Sequence, residues 1–244
     1  MKKIDIHIYY GRWHHPISLH TVEDTFEVMD RHDIEKAVLM SAKSLCYDYR
    51  EGNRDLFADI ADQPRLYGFV VVNLHYPKES VEEIRRYADR PQYRGIKIHP
   101  SCTQISIAEG YDKALFDLVE GLGKPVLLHT SHTKFTMPTI CVPIAKRHPT
   151  LPFVLGHMGR PDWQNGIQAA EEAENIYLDP SCSFPDAPKI DESVRRVGAE
   201  KVVFGSSMME NNPGFTIGMI QDALITDAEK EAIFHGNAER LFGL

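Results

Sequence analysis

The chain has 244 residues, of which 43% are hydrophobic and 25% are charged, as in globular proteins that bury a sizeable core. The formal net charge is −8 and no basic block occurs, which argues against nucleic acid or an anionic membrane as the main partner. The amino terminus enters a strand without an apolar run suited to a signal peptide or a membrane span, and the four cysteines form no Cys-x-x-Cys pair. We therefore expect a cytoplasmic protein with reduced thiols that acts on a small molecule.

Short apolar strands alternate with amphipathic helices along the whole chain. The predicted strands span residues 3–9, 36–41, 65–73, 94–99, 125–129, 151–157, 175–179 and 201–206. The predicted helices span residues 21–32, 49–62, 78–89, 111–122, 137–147, 162–174, 191–197, 215–224, 227–234 and 237–242. Alternation predicts a parallel sheet, and eight strands in a chain near the ~250 residues typical of such folds predict one (β/α)8 barrel over residues 1–244. The rival architecture is an open doubly wound sheet, but no Gly-x-Gly-x-x-Gly follows any strand.

The first predicted strand alternates three isoleucines with Asp5, His7 and Tyr9. A side-chain period of two places the three polar residues on one face. We expect the isoleucines to pack outward against helices and the polar residues to line a site inside the barrel.

In a barrel of this kind the carboxyl ends of all strands meet at one mouth, where active sites lie. The polar residues collected there are His7, Tyr9, Ser41, Asn73, His75, Lys97, His99, His129, His157, Asp179, Ser206 and Ser207. Imidazoles grouped at one mouth favour a divalent metal or a general acid/base relay over hydrogen-bonded structural roles. Lys97 and His99 point the same way on the fourth strand, and Lys97 suits a substrate carboxylate.

Several short segments resemble a known family in their order and spacing. They are Ile-Asp-Ile-His at 4–7, Gly-Ile-Lys-Ile-His-Pro at 95–100, Pro-Val-Leu-Leu-His-Thr at 125–130, Leu-Gly-His-Met-Gly at 155–159, Val-Phe-Gly-Ser at 203–206 and Gly-Asn-Ala-Glu-Arg-Leu-Phe-Gly at 236–243. Together they cover essentially the whole chain. The sequence resembles the amidohydrolase-related family (amidohydrolase family 2), whose members are metal-dependent (β/α)8 hydrolases and decarboxylases.

The resemblance implies roles for matching positions. It makes His7 and His129 ligands of one divalent ion, expected to be zinc, and His157 the residue that orients substrate or passes protons. Two family ligands are replaced, because Tyr9 stands at the second histidine of the first strand and Ser207 at the aspartate of the eighth. A phenol and a hydroxyl are poorer ligands than imidazole and carboxylate, and the aspartate is also the family's proton-transfer base.

Three interpretations of the site follow. In the first, His7, His129 and His157 form a three-histidine site with an open position. In the second, Glu210 supplies the missing carboxylate. In the third, no metal binds and the pocket is a metal-free catalyst or a binding site.

We expect hydrolysis of a small, carboxylated molecule, with decarboxylation and a catalytically silent binding protein as alternatives. The residues expected to bind substrate are Tyr9, Lys97, His99, Ser207 and Glu210. The loop carrying Trp13, His14 and His15 either caps the pocket or is solvated. Dimers are common among such barrels, but no sequence feature marks a homodimer interface.

Overall fold

The computed structural model describes residues 1–14, 16–17, 21–181, 186 and 188–244, so that His15 and Cys182 lie outside the described residues. Within these ranges seven parallel strands form one sheet, and their order in the sheet is their order in the chain. The strands are β1 Ile4–Tyr10, β2 Lys36–Ser41, β3 Leu66–Val71, β4 Tyr93–Ile98, β5 Val126–His129, β6 Phe153–Gly156 and β7 Ile176–Asp179.

Helices connect the strands, as the alternation predicts. They are α1 Val22–Arg31, α2 Ala42–Cys46, α3 Tyr49–Asp59, α4 Pro77–Tyr87, α5 Pro100–Thr103, α6 Lys113–Gly121, α7 Val142–Arg147, α8 Gln164–Glu172, α9 Pro188–Val197, α10 Pro213–Asp222, α11 Asp227–Glu231 and α12 Asn237–Phe242. The helix predicted over 137–147 is divided, because the 3-10 turn Pro138–Cys141 precedes α7. The sequence pattern does not predict α2 and α5, because helices of five and four residues are too short to show a period.

The eighth predicted strand is not a regular strand. A 3-10 turn at Ala199–Lys201 opens this region, and the following segment bonds to both end strands of the sheet. The Val203 N–H donates to the Leu178 carbonyl (2.8 Å), and the Ile6 N–H donates to the Phe204 carbonyl (3.1 Å). The segment therefore joins β7 to β1. The predicted α/β barrel architecture is confirmed, with seven regular strands and this irregular segment in the described part of the chain.

Successive residues of a strand face opposite sides of the sheet, and the apolar ones pack in two separate clusters. The outer cluster contains Ile96 and Ile98 together with buried residues of the helices. The inner cluster contains Leu127 and Val154 and fills the inside of the curved sheet. Because Lys97 lies between Ile96 and Ile98, and side chains alternate along a strand, its side chain points inward.

The strand β1 departs from the predicted alternation. Its register against β2 shifts between Asp5 and Ile8. Ile4 and Ile6 pack in the inner cluster, whereas Ile8 packs in the outer one. The prediction that the isoleucines share one outward face is therefore wrong, because the irregularity interrupts the period of two. His7 lies within this irregular stretch.

Candidate active site

Four predicted histidines form a continuous row of rings at the mouth. The ring centroids of His99 and His129 are 3.9 Å apart, those of His129 and His157 are 4.8 Å apart, and those of His157 and His7 are 4.8 Å apart. All four side chains are buried. The strand ends thus bring together residues that are up to 150 positions apart in the chain.

Two glycines make room for the end of this row. A Cβ on Gly156 would lie 3.0 Å from Cε1 of His7, and a Cβ on Gly205 would lie 2.8 Å from Cβ of His7. The same Gly205 Cβ would lie 2.5 Å from Oδ1 of Asp179. A side chain at either glycine would therefore displace His7 or its partner.

A carboxylate fixes the tautomer of His7. Its Nδ1–H donates to Oδ2 of Asp179 (2.5 Å), and Asp179 also accepts from the backbone N–H (2.9 Å) and hydroxyl (2.8 Å) of Ser181. The lone pair of His7 is consequently on Nε2, which has no hydrogen-bond partner among the described residues. Burial lowers the pKa of His7 well below its ordinary value, and the charges of Lys97 and Arg160 add to the effect. The ring is therefore neutral at pH 7.

His157 is held by its backbone and by a carbonyl. Its φ is +67°, in the left-handed region that non-glycine residues rarely adopt, and Ser207 has a φ of +59°. Such backbone strain clusters at functional sites. The Nδ1–H of His157 donates to the carbonyl of Ser181 (2.8 Å), so its lone pair is also on Nε2, again without a partner among the described residues. Burial lowers its pKa well below the ordinary value.

His99 and His129 stack face to face, with 21° between their ring planes. Nδ1 of His99 accepts from the backbone N–H of Cys102 (3.3 Å). Nδ1 of His129 is buried without a hydrogen-bond partner in the described part of the chain. Burial lowers the pKa of both rings well below the ordinary value, and the two imidazoles are therefore neutral.

Lys97 is buried beneath this row. Its side chain is 0% exposed, and Nζ has no hydrogen-bond partner among the described residues. Burial lowers the pKa of Lys97 to about 7, although the negative charge of Asp179 opposes the shift. An amine with such a pKa exchanges protons readily at neutral pH.

The two residues at the replaced ligand positions are neutral groups in contact with the row. The Tyr9 ring meets the His7 ring edge-on at 5.3 Å, and burial raises the pKa of Tyr9 well above its ordinary value, with a further contribution from the charge of Glu210. The backbone N–H of Ser207 donates to the His7 carbonyl (2.9 Å), and its Oγ lies 3.5 Å from Nδ1 of His157.

A cavity of about 690 Å³ opens at the mouth. It is lined by Tyr9, Trp13, His14, His99, Ser101, Cys102, His129, Ser131, His132, Arg160, Pro161 and Glu210. Half of the predicted site residues are in this lining, and the other half, His7, Lys97, His157 and Ser207, are buried behind it. A cavity of this size accommodates a small molecule.

The amidohydrolase family model matches residues 9–244. The chain belongs to the amidohydrolase family. It is also similar to the γ-resorcylate decarboxylase of Polaromonas sp. strain JS666, with 23% identity over 248 residues. The match covers 80% of this chain and 76% of the relative. No described helix of the chain is long and apolar enough to cross a membrane.

Solved structures of similar fold include decarboxylases. A 2,6-dihydroxybenzoate decarboxylase bound to 2,6-dihydroxybenzoate superimposes with a TM-score of 0.82, 18% identity and full coverage of both chains. A dihydroxybenzoic acid decarboxylase from Polaromonas sp. JS666, containing manganese and 2-nitroresorcinol, gives a TM-score of 0.79 and 17% identity over 100% of this chain and 97% of that one. At these identities the likeness shows the fold. Hydrolysis and zinc stay predictions, and the decarboxylase names agree better with the alternative function.

Arg160 is a residue of the mouth that the sequence interpretation missed. It lies in the cavity lining, and its charge contributes to lowering the pKa of all four histidines of the row. Its position three residues after His157 could have identified it from the sequence, because the loops after barrel strands form the mouth. Lys97 lies behind the lining, and its expected contact with a substrate carboxylate stays a prediction.

The four-ligand metal site that the family implies is incomplete at the mouth, although buried ring nitrogens of His7, His129 and His157 have no hydrogen-bond partner among the described residues. Two of its four ligand positions hold the neutral Tyr9 phenol and the Ser207 hydroxyl. Among the described residues, the group of three donors that all lie within 4.8 Å of one another is elsewhere, formed by Asp117, Glu120 and His148. A metal on His7 and His129, with or without His157 or Glu210, stays a prediction.

The Asp117, Glu120 and His148 group lies outside the cavity lining, and its donors already have partners. Nδ1–H of His148 donates to Oε2 of Glu120 (2.9 Å), and Nε2 accepts from the Tyr111 hydroxyl (3.0 Å). Oε1 of Glu120 accepts from the backbone N–H (3.1 Å) and hydroxyl (2.6 Å) of Thr150. These contacts describe a hydrogen-bonded cluster between α6 and the end of α7.

Proposed function

We propose that the mouth catalyses the decarboxylation of a small, planar carboxylate. The observation that carries the proposal is the combination of the Arg160 guanidinium in the cavity lining with neutral imidazoles and the Lys97 amine behind it. The decarboxylases of aromatic acids among the similar proteins support this choice.

The substrate carboxylate pairs with Arg160, since a guanidinium binds a carboxylate through two parallel hydrogen bonds. Tyr9 and Trp13, whose ring centroids are 4.9 Å apart, offer aromatic faces for a planar ring. Glu210, also in the lining, repels a second carboxylate and suits a substrate hydroxyl.

In the reaction the bond between the ring carbon and the carboxylate breaks, carbon dioxide leaves, and the ring carbon takes one proton. The Lys97 amine, whose pKa burial lowers to about 7, supplies this proton. The neutral imidazole of His129 lines the cavity and relays the proton to the ring carbon, with His157 meeting its ring edge-on. A proton donor with a pKa near the working pH is the most effective general acid.

Decarboxylation agrees better than hydrolysis with the residues that are present. Hydrolysis needs a base that activates water, and Ser207 stands where the family has its aspartate. Decarboxylation needs a cation and a general acid, which Arg160 and Lys97 supply.

The test is a panel of hydroxybenzoates and other aromatic carboxylates, assayed for carbon dioxide release with chelator, with manganese and with zinc. We expect turnover of at least one acid. Arg160→Gln should raise KM by about tenfold or more because it loses the charge-assisted pair, and His129→Gln should mainly lower kcat. Arg85→Gln, on the exposed face of α4, is the matched control.

Other outcomes decide against the proposal. Turnover of esters, amides or lactones without carbon dioxide release would establish hydrolysis. Tight binding of aromatic acids without any turnover would establish the silent binding protein. An unchanged KM in Arg160→Gln would remove Arg160 from carboxylate recognition.

A further inference from the structure

Two cysteines meet at the rim of the mouth. Cys46 is the last residue of α2, which follows β2, and Cys102 lies in α5, which follows β4. The two short helices pack against each other. Both thiols line a cavity of about 280 Å³ next to the larger one, and Cys102 lines both cavities.

The thiols share the lining of the smaller cavity, and one of them lies against a histidine. Cys46 and Cys102 are close enough for each side chain to shift the pKa of the other, and Sγ of Cys46 lies 3.6 Å from Nδ1 of His14. Cys46 is partly buried and Cys102 is exposed, so a small oxidant in solution reaches the pair.

The two thiols have different reactivities, with Cys46 as the nucleophile and Cys102 as the thiol that keeps its proton. The hydrogen bond from Cys102 and the neighbouring His14 lower the pKa of Cys46 to about 6, although burial and Glu210 oppose the shift. The same bond and burial raise the pKa of Cys102. The thiolate is the reactive form of cysteine, so Cys46 is reactive at neutral pH while Cys102 keeps its proton.

A third cysteine provides an internal contrast. Cys141 is 0% exposed, and burial raises its pKa. A buried thiol with a raised pKa is inert to oxidants.

We propose that Cys46 and Cys102 are a peroxide-oxidisable pair that closes into a disulfide at the rim of the barrel mouth. The Cys46 thiolate attacks one oxygen of a hydroperoxide, the O–O bond breaks, and the departing oxygen takes a proton and leaves as water or an alcohol. Cys46 is then a sulfenic acid. The Cys102 sulfur attacks the Cys46 sulfur and expels hydroxide, which leaves as water with the Cys102 proton.

The disulfide would make the position of His99, and so the imidazole row, depend on the redox state of the two cysteines. It ties α2 to α5 and fixes Cys102, whose backbone N–H donates to His99. Because Cys102 also lines the larger cavity, oxidation changes the shape of the small-molecule site. Reduction by a thiol restores the open pair.

The experiment treats the reduced full-length chain with hydrogen peroxide, blocks free thiols and analyses the peptides by mass spectrometry. We expect an intramolecular Cys46–Cys102 cross-link that a thiol reductant removes. In Cys102→Ser, dimedone should trap the sulfenic acid at Cys46. Cys141→Ser should leave the cross-link unchanged. In the unmodified protein, a thiol reagent should label Cys46 about tenfold or more faster than Cys141 at pH 7.

Three results would overturn the proposal. The first is persistence of both thiols at peroxide concentrations that oxidise free cysteine. The second is a cross-link only between two chains, seen as a dimer under non-reducing conditions. The third is equal labelling of Cys46 and Cys141 in the folded protein, a measurement that needs no variant.

Discussion

Replacing Lys97 by methionine is expected to stabilise the protein at pH 7. Methionine keeps an unbranched chain that adapts to the space but has no amine to bury. Lys97 is fully buried, Nζ has no hydrogen-bond partner among the described residues, and burial lowers its pKa from 10.5 to about 7. The folded protein therefore binds the lysine proton much less tightly than the unfolded chain does.

The magnitude follows from this difference in proton affinity. Between pH 7 and 10.5 the unfolded chain holds a proton that the folded protein has largely released, so the stability of the unmodified protein rises with pH across this window. With ~1.4 kcal/mol for each pKa unit, burying Lys97 lowers the free energy of unfolding by roughly 4 kcal/mol at pH 7. The effect falls below about 1 kcal/mol near pH 10.5.

The assay is denaturant unfolding of the unmodified protein and of Lys97→Met at pH 7, 8.5 and 10. Lys78→Met, on the exposed surface, is the control. Lys97→Met should gain roughly 4 kcal/mol at pH 7, and the gain should shrink steadily as pH rises. The same variant should lose decarboxylase activity if Lys97 supplies the proton. A gain that is constant with pH, or a loss of stability, would refute the reasoning, because it would show that burial does not hold the pKa of Lys97 near 7.

Three further predictions concern the histidine row. Asp179→Asn should lower kcat by about tenfold or more, because the His7 Nδ1–H loses its carboxylate partner, and nitrogen NMR of the histidines should show a mixed tautomer. Gly156→Ala should lower activity and stability together, because its Cβ would lie 3.0 Å from Cε1 of His7. The control Gly218→Ala lies inside α10 with open space around its Cβ, and it should raise the stability measured by thermal unfolding by ~0.5–1 kcal/mol. Acidification from pH 7 to 5 should lower the melting temperature, because histidines of the unfolded chain bind protons in this range whereas the buried histidines of the folded protein stay neutral. Asp5, whose pKa burial raises to about 7, binds a proton in the folded protein and offsets part of the loss. A melting temperature that is flat or rises over this range would contradict the neutral histidine row.

The sequence by itself determined the architecture and which strand-end residues would meet. Hydrophobic periodicity reports which face of each local segment is buried, and it placed the seven regular strands and the longer helices correctly. Polar residues that end parallel strands must meet at one mouth, which is why His7, His129 and His157 could be grouped without coordinates.

The tertiary structure decided how those residues meet. The irregularity in β1 places Ile8 on the opposite face from Ile4 and Ile6, and this depends on the register against β2 rather than on local periodicity. Likewise the region after Ala199–Lys201 joins β7 to β1 through backbone bonds to both, although its own residues form no regular strand.

The chemistry of the site also depends on long-range contacts. Asp179 and Ser181 select the tautomers of His7 and His157. Burial in the barrel interior lowers the pKa of Lys97, and this burial does not follow from the residues next to it in the chain. The fold places Arg160 in the cavity lining and Lys97 behind it, an arrangement that local sequence does not reveal. Sequence periodicity is set by neighbours along the chain, whereas exposure, hydrogen-bond partners and proton affinity are set by residues that folding brings together from distant strands.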